Sequence, residues 1–222
     1  AGKLGVKRQV FFVSLGGFDT HSGQNQRHAD LMARVAHAMR YFDTALGAIG
    51  ARNNVTTFTA SDFGRTFTTN GDGTDHGWGA HQFVMGGAVR GGDLYGTFPT
   101  LLGKSGSSND FDSPDQVRNG AMLPTTSVDQ LGATLGRWFG LSDGQATQVF
   151  PNLANFNSGA RNLGFMGRLF GAGGRRLAKR GAASILSRMA NHSAALTDVF
   201  YALPAPTRRG IVKPLGRGPE SV

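Results

Sequence analysis

Apolar residues in the first ninety positions form short continuous runs and one long helical stripe. Gln9–Leu15 is a mostly apolar run that ends at two glycines, which is typical of a strand covered on both faces. Val55–Ala60 and Gln82–Val89 are two further strand candidates. Between the strand candidates Gln9–Leu15 and Val55–Ala60, the segment Asn25–Ile49 repeats apolar residues at three- and four-residue steps, the period of one helix face. Strand, helix and strand in this order form a βαβ unit, which predicts parallel strands.

The second half of the chain predicts two capped helices after a stretch of irregular, Gly-rich sequence. Ser127 can cap a helix over Val128–Phe139, and Ser142 can cap a shorter one that ends before Pro151. Ser61–Ala80 is predicted as a long polar loop, and loops of this length in compact domains are usually functional or disordered. The pattern as a whole predicts an α/β fold with a mainly parallel sheet flanked by helices.

Charge divides the chain near Met166. Residues 1–166 carry 13 Lys and Arg against 12 Asp, whereas residues 167–222 carry ten against two acids, so most of the net charge of +9 lies in the second segment. We therefore predict a nearly neutral domain over 1–166 and a basic, poorly ordered tail over 167–222. A basic tail can bind nucleic acid or anionic lipid, but a solvated extension is the commoner case.

Three features that the sequence lacks narrow the function classes. The chain has no Cys, which excludes disulfides and thiolate metal ligands. No apolar run approaches the roughly 20 residues that span a bilayer. The N-terminal segment is basic but lacks the apolar region and cleavage site of a signal peptide, so we predict no membrane span and no signal peptide in this chain.

Carboxylates and imidazoles gather after the predicted strands. The candidate metal ligands are Asp19, His21, Asp62, His76 and His81. Asp19 and His21 are separated by one residue, so in extended backbone both side chains face the same side. Ligands in open α/β sheets bind at the carboxyl ends of strands, where we expect these groups to converge. Imidazole and carboxylate without thiolate suit a divalent metal such as Zn, Mn, Ca or Fe, held singly or as a pair.

Three further residues have a supporting role in this hypothesis. His28, at the start of the predicted helix, and Asp75 are candidates for contact with the ligands, and Arg65 is a candidate for binding an anionic oxygen bidentately. Each of these residue types also has an ordinary structural use. Asp and His in Gly-rich loops often serve as turn or cap residues, and an Arg often pairs with a neighbouring Asp.

The motifs resemble a bacterial family catalogued as domain of unknown function 1501. The similarity rests on GGFDTH, TASDFGRT, GTDHGWGAHQFVMGGAVRGGDLYG and the ending LGRWFGLSD with VFPNL, and it covers about Lys7 to Met166. That family resembles a distant branch of the alkaline phosphatase and sulfatase superfamily. The resemblance implies an incomplete fold of that kind, equivalent to the C-terminal half of a typical member.

The resemblance also implies roles for individual residues. Asp19 and His21 resemble the first pair of metal ligands, and His76 and His81 are candidates for a later one. Asp62 stands where members of the superfamily have an Asp-His pair. Phe63 replaces the His, which removes one expected ligand of a second metal. The superfamily nucleophile belongs to the N-terminal half, so the chain alone is expected to be inactive.

The sequence therefore predicts part of a metal-dependent hydrolase of phosphoric or sulfuric esters. One alternative is a non-catalytic exported binding or surface protein that retains the fold, and a second is nucleic-acid binding through the Arg-rich tail. The resemblance implies twin-arginine export and hence a periplasmic or exported location. It also implies that a partner would be the N-terminal half or an exported protein. Separately, the apolar runs predict no membrane span, and the tail is expected to be a solvated extension rather than a nucleic-acid-binding segment.

Overall fold

The computed structural model describes residues 8–107 and 110–167, and helices dominate their regular structure. The α-helices are α1 Gln24–Ala48, α2 Val128–Phe139 and α3 Asp143–Val149. The strands are β1 Thr56–Phe58, β2 Gly64–Thr69, β3 Thr74–Gly77, β4 Val84–Gly86, β5 Gln116–Val117 and β6 Ala121–Met122. Short 3-10 helices cover Arg52–Asn54, Arg118–Gly120, Pro151–Asn155 and Ser158–Arg161.

The strand pairs of the described residues differ from the predicted parallel arrangement. β1 pairs with β4, β2 with β3, and β5 with β6, and all three pairs are antiparallel. The strands predicted at 55–60 and 82–89 therefore exist in shortened form as β1 and β4, but they run in opposite directions. An alkaline phosphatase-like fold with a mainly parallel sheet stays a prediction.

The segment Gln9–Leu15, predicted as the first strand, forms no strand within the described residues. Most of its apolar side chains are exposed, since Val10 and Phe11 retain 40% and 42% of their surface and Val13 retains 74%, whereas Phe12 is half-buried. A continuous apolar run suits a strand that neighbours cover on both faces. The physical reason for the difference is that no described strand lies alongside this segment to pair with its backbone.

The helices follow their sequence signals closely. The helix predicted over 25–49 is confirmed as α1, and the helices predicted after Ser127 and Ser142 are confirmed as α2 and α3. Ser127 Oγ accepts a hydrogen bond from the Asp129 amide at 3.0 Å, and Gln130 Oε1 accepts one from the Ser127 amide at 2.9 Å. This reciprocal capping satisfies donors that helix ends otherwise leave free.

The best-buried apolar cluster lies among α2, α3 and the following 3-10 helix. Its buried members are Ala133, Ala146, Phe150 and Leu153. At the end of the described region, Met166 pairs with Val89, so the chain remains joined to the fold up to the predicted boundary. The predicted tail, apart from residue 167, lies outside the described residues. Among the described helices, none has the length and apolar character that crossing a bilayer requires.

Candidate metal centre

A β-hairpin replaces the long loop predicted over Ser61–Ala80. β2 and β3 pair through this region, and Arg65 lies directly opposite His76 across the hairpin. Directly opposed residues of an antiparallel pair project to the same face. A sequence signal for this turn existed, because the stretch TFTTNGDGTD places Asn-Gly and Asp-Gly between Thr-rich runs that favour strands. This signal was overlooked because both strands contain few apolar residues.

The hairpin turn is attached to the loop that precedes α1. The Thr74 amide donates to the Thr20 carbonyl at 3.3 Å, and the Gln24 amide donates to the Asp72 carbonyl at 3.1 Å. Asp72 Oδ2 also accepts from the Gly23 amide at 2.8 Å, so a carboxylate from the hairpin caps the first turn of α1. Sequence reasoning missed this role of Asp72, since no local motif links residues 49 positions apart.

Gly73 permits this close approach. A Cβ atom at that position would overlap the Thr20 carbonyl oxygen and the backbone of His21. The missing side chain therefore lets the hairpin turn lie directly against the backbone of Thr20 and His21. Thr20 itself is fully buried, which further fixes the loop that carries its two neighbours, Asp19 and His21.

Asp19, His21 and His76 converge into one cluster. Oδ1 of Asp19 lies 2.9 Å from Nε2 of His21 and 2.9 Å from Nε2 of His76. The three candidate ligand atoms all lie within 4.8 Å of one another. About half of each side chain is exposed, with values of 53%, 48% and 49% in the order given above, so the cluster is open to solvent and to ions.

His21 has carboxylates on both of its ring nitrogens. While Nε2 faces Asp19, Nδ1 lies 3.2 Å from Oδ1 of Asp75, which also accepts from Nδ2 of Asn70 at 3.1 Å. A neutral imidazole carries a single N–H and cannot donate to both carboxylates. If Nδ1 donates to Asp75, Nε2 presents a lone pair toward Asp19, and a cation or a proton is needed between them. Metal-binding histidines commonly have this carboxylate behind the second nitrogen.

Arg65 supplies the fixed positive charge of the site. Its Nη1 donates to Oδ1 of Asp19 at 2.8 Å, and its Nε donates to Oγ1 of Thr74 at 3.0 Å, while Nη2 donates to the Thr74 carbonyl. The Arg65 side chain is only 17% exposed. The guanidinium of Arg65 beside Asp19 lowers the pKa of that carboxyl below its ordinary value, and hydrogen bonding from His76 acts in the same direction.

The residues present fit a divalent metal ion. Three nitrogen atoms lie within 2.9 Å of one oxygen of Asp19, although a carboxylate oxygen has only two lone pairs in its plane. Zinc binds imidazole nitrogen and carboxylate oxygen at about 2.0–2.2 Å, so two ligands of one ion lie at most about 4.4 Å apart. The three ligand atoms, which all lie within 4.8 Å of one another, are already close to that limit. Three protein ligands leave a coordination position open, as in catalytic rather than structural sites.

Three other candidate residues, Asp62, His81 and His28, are not among the ligands of this cluster. Asp62 is exposed and outside the cluster. His81 is also outside it, and its ring packs against Phe98 with centroids 5.1 Å apart. His28 meets the edge of Phe18 at 6.3 Å, so in the structure it packs beside the loop that carries Asp19. The cluster thus forms between a loop and a hairpin, rather than at the ends of parallel strands.

Comparison with known proteins identifies a family without assigning an activity. Residues 3–151 match the model of a family described as "Protein of unknown function (DUF1501)". No curated protein matches the chain, and no solved structure matches it either. The matched range includes the loop before α1, the hairpin, and therefore every residue of the metal cluster. Because this match spans more than half of the sequence, the chain belongs to the DUF1501 family.

Proposed function

We propose that this protein binds a divalent metal ion through Asp19, His21 and His76. The observation that carries the proposal is the convergence of both Nε2 atoms on one oxygen of Asp19, with Asp75 behind His21. Two imidazoles and one carboxylate suit Zn, Mn or Fe better than Ca, which prefers six to eight oxygen ligands. We therefore propose one ion per chain, of the transition-metal class.

The electrostatics of the site favour an anionic ligand next to that ion. Arg65 keeps two hydrogen bonds to Thr74 that do not involve Asp19, so its guanidinium stays in place when Asp19 turns toward a metal. The positive charges of a bound divalent ion and of Arg65 together exceed the two negative charges of Asp19 and Asp75. Guanidinium groups match the spacing of phosphate and sulfate oxygens. We propose that the site binds the anionic group of a phosphoric or sulfuric ester.

Hydrolysis of such an ester is the proposed role of the whole site. Asp19, His21 and His76 would hold the ion, which would supply the positive charge that polarises a phosphoryl or sulfuryl oxygen. Arg65 would hold a second oxygen of the group and balance charge that develops during the reaction. Asp75 would keep His21 in the tautomer that faces the ion. For these residues alone we propose binding, without turnover.

Metal binding is tested by titrating the full 222-residue chain with Zn(II), and with Co(II) for its absorption spectrum. We expect one ion per chain and a loss of at least about 100-fold in affinity for His21→Ala and for His76→Ala, because each removes a ligand. His81→Ala is the matched control, since His81 lies outside the cluster, and its affinity should equal that of the wild type. Absent binding, or an equal loss in His81→Ala, would contradict the proposal.

The ester assignment is tested separately by adding an aryl phosphate and an aryl sulfate to the zinc-loaded chain. We expect inorganic phosphate or sulfate to bind, with weaker binding in Arg65→Ala, and we expect no robust turnover of either ester. Arg34→Ala is the control, because it also removes one positive charge, but Arg34 pairs with Asp30 on the exposed surface of α1. If Arg65→Ala binds phosphate or sulfate as tightly as the wild type does, the ester assignment is wrong, whereas the proposed metal site is unaffected.

A further inference from the structure

Phe63 lies against the imidazole of one proposed metal ligand. The rings of Phe63 and His76 stack with centroids 3.7 Å apart and planes inclined by 11°. Phe63 directly precedes β2, whereas His76 belongs to β3, so the contact joins the two strands of the hairpin. The Arg65 guanidinium carbon also lies 5.6 Å from the centre of the Phe63 ring. Phe63 therefore contacts both hairpin residues that reach Asp19.

The contact with Phe63 restricts the orientation of the His76 ring plane, which determines whether His76 can bind a metal ion. The lone pair of an imidazole nitrogen lies in the ring plane, so the plane of the ring decides where Nε2 can bind an ion. Because about half of the His76 side chain is exposed, solvent alone leaves its ring free to rotate. A parallel aromatic face at 3.7 Å opposes rotation about the Cβ–Cγ bond, since a turned ring would collide with Phe63.

The backbone beneath Phe63 is itself held rigidly. The next residue, Gly64, pairs with Gly77, and its amide donates to the Trp78 carbonyl at 3.2 Å. A Cβ atom on Gly64 would overlap the carbonyl oxygen of Gly79, so the two chain segments touch closely at this point. The hairpin therefore fixes the origin of the Phe63 side chain relative to β3, and with it the face presented to His76.

We infer that Phe63 is a positioning residue that holds the His76 imidazole plane so that Nε2 faces the ion and Asp19. The inference rests on the proposed metal site, but it concerns a residue that carries no ligand atom. Its consequence is that the affinity for the metal depends on an aromatic ring at position 63, rather than on apolar bulk there.

The test compares Phe63→Leu, Phe63→Tyr and Phe67→Leu in the full chain, with Zn(II) as the titrant. We expect Phe63→Leu to lose about 10- to 100-fold in zinc affinity, as is usual when a residue that orients a ligand is removed. Phe63→Tyr keeps the ring and should restore wild-type affinity. Phe67→Leu is the matched control, because Phe67 lies in β2 of the same hairpin but packs edge-on against Phe111 at 6.3 Å.

A second readout needs no metal. In NMR spectra of the metal-free protein, the ring current of Phe63 should shift the His76 ring protons upfield, and Phe63→Leu should abolish that shift. If the wild-type chain binds zinc and Phe63→Leu binds it with the same affinity, this inference is overturned while the proposed metal site stands. A wild-type chain that binds no zinc would overturn the proposed metal site, and this inference with it. An equal loss of affinity in Phe67→Leu would show that Phe63 acts only through general hairpin stability.

Discussion

The helical region around α2 and α3 and the metal cluster are built on different physical principles. In the helical region, Ala133, Ala146 and Leu153 are fully buried, and reciprocal caps close both helix starts. In the metal cluster, the side chains of Asp19, His21 and His76 are half exposed, and hydrogen bonds hold them together. Burial of apolar surface stabilises the first region, whereas the second depends on charges that a bound ion would rearrange.

This difference predicts that the helical region responds to core substitutions and that the metal cluster responds to metal ions. Apolar burial is insensitive to metal and to modest changes of salt, so the helical region should carry the stability of the chain. Charges that are half exposed contribute little to stability on their own. A ligand that binds the native state raises its stability in proportion to the logarithm of ligand concentration. Metal should therefore stabilise the chain through the cluster, while core substitutions should leave metal affinity unchanged.

The largest expected effect comes from Leu153→Ala in the helical region. Leu153 is fully buried among Ala133, Ala146 and Phe150, so the substitution leaves a cavity as well as removing apolar contacts. We expect the free energy of unfolding to fall by about 2–5 kcal/mol, measured by urea denaturation. Zinc affinity of the folded variant should not change. Leu94→Ala, at a site that is 50% exposed, is the control and should cost much less.

A smaller effect, confined to the cluster, is expected from Asp75→Asn. The variant keeps the shape of the side chain but weakens the acceptor for Nδ1 of His21, so we expect a loss of about 10- to 100-fold in zinc affinity. That loss corresponds to roughly 1.4–2.8 kcal/mol of binding free energy. Urea denaturation of the metal-free variant should match the wild type. Asp72→Asn is the control, because Asp72 caps α1 and contacts neither histidine. A loss in Asp72→Asn as large as that in Asp75→Asn would disprove the orienting role.

The sequence predicted the helices well because their signals are local. Ser127 and Gln130, like Ser142 and Gln145, are three residues apart, and each pair closes its own helix start. The apolar stripe of α1 likewise repeats within a few residues. Such signals depend on near neighbours in the chain, so no knowledge of the tertiary structure is needed to use them.

The candidate site was predictable as a set of residue types, but not as an arrangement. Asp19 meets Arg65 and His76 across 46 and 57 positions of the chain, and the hairpin register that selects His76 over His81 leaves a weak signal in the sequence. The predicted parallel pairing of Gln9–Leu15 depended on neighbours that periodicity cannot reveal. Apolar runs predict where strands can form, whereas their direction and partners are set by long-range packing.

The smallest expected effect is a change in the free energy of unfolding from a substitution in the helical region that acts on the unfolded chain. Gly144 lies in the first turn of α3, and a Cβ atom added there would meet nothing within 4 Å. Gly144→Ala should raise the free energy of unfolding by about 0.4–1 kcal/mol, because alanine restricts the unfolded backbone without straining the helix. Gly140→Ala is the matched control with the opposite sign, since Gly140 ends α2 at a φ of 115° with the Arg8 guanidinium against it. Urea denaturation measures both variants, and zinc affinity should stay constant in each. If Gly144→Ala weakened zinc binding, the separation between a stabilising helical region and an independent metal cluster would fail.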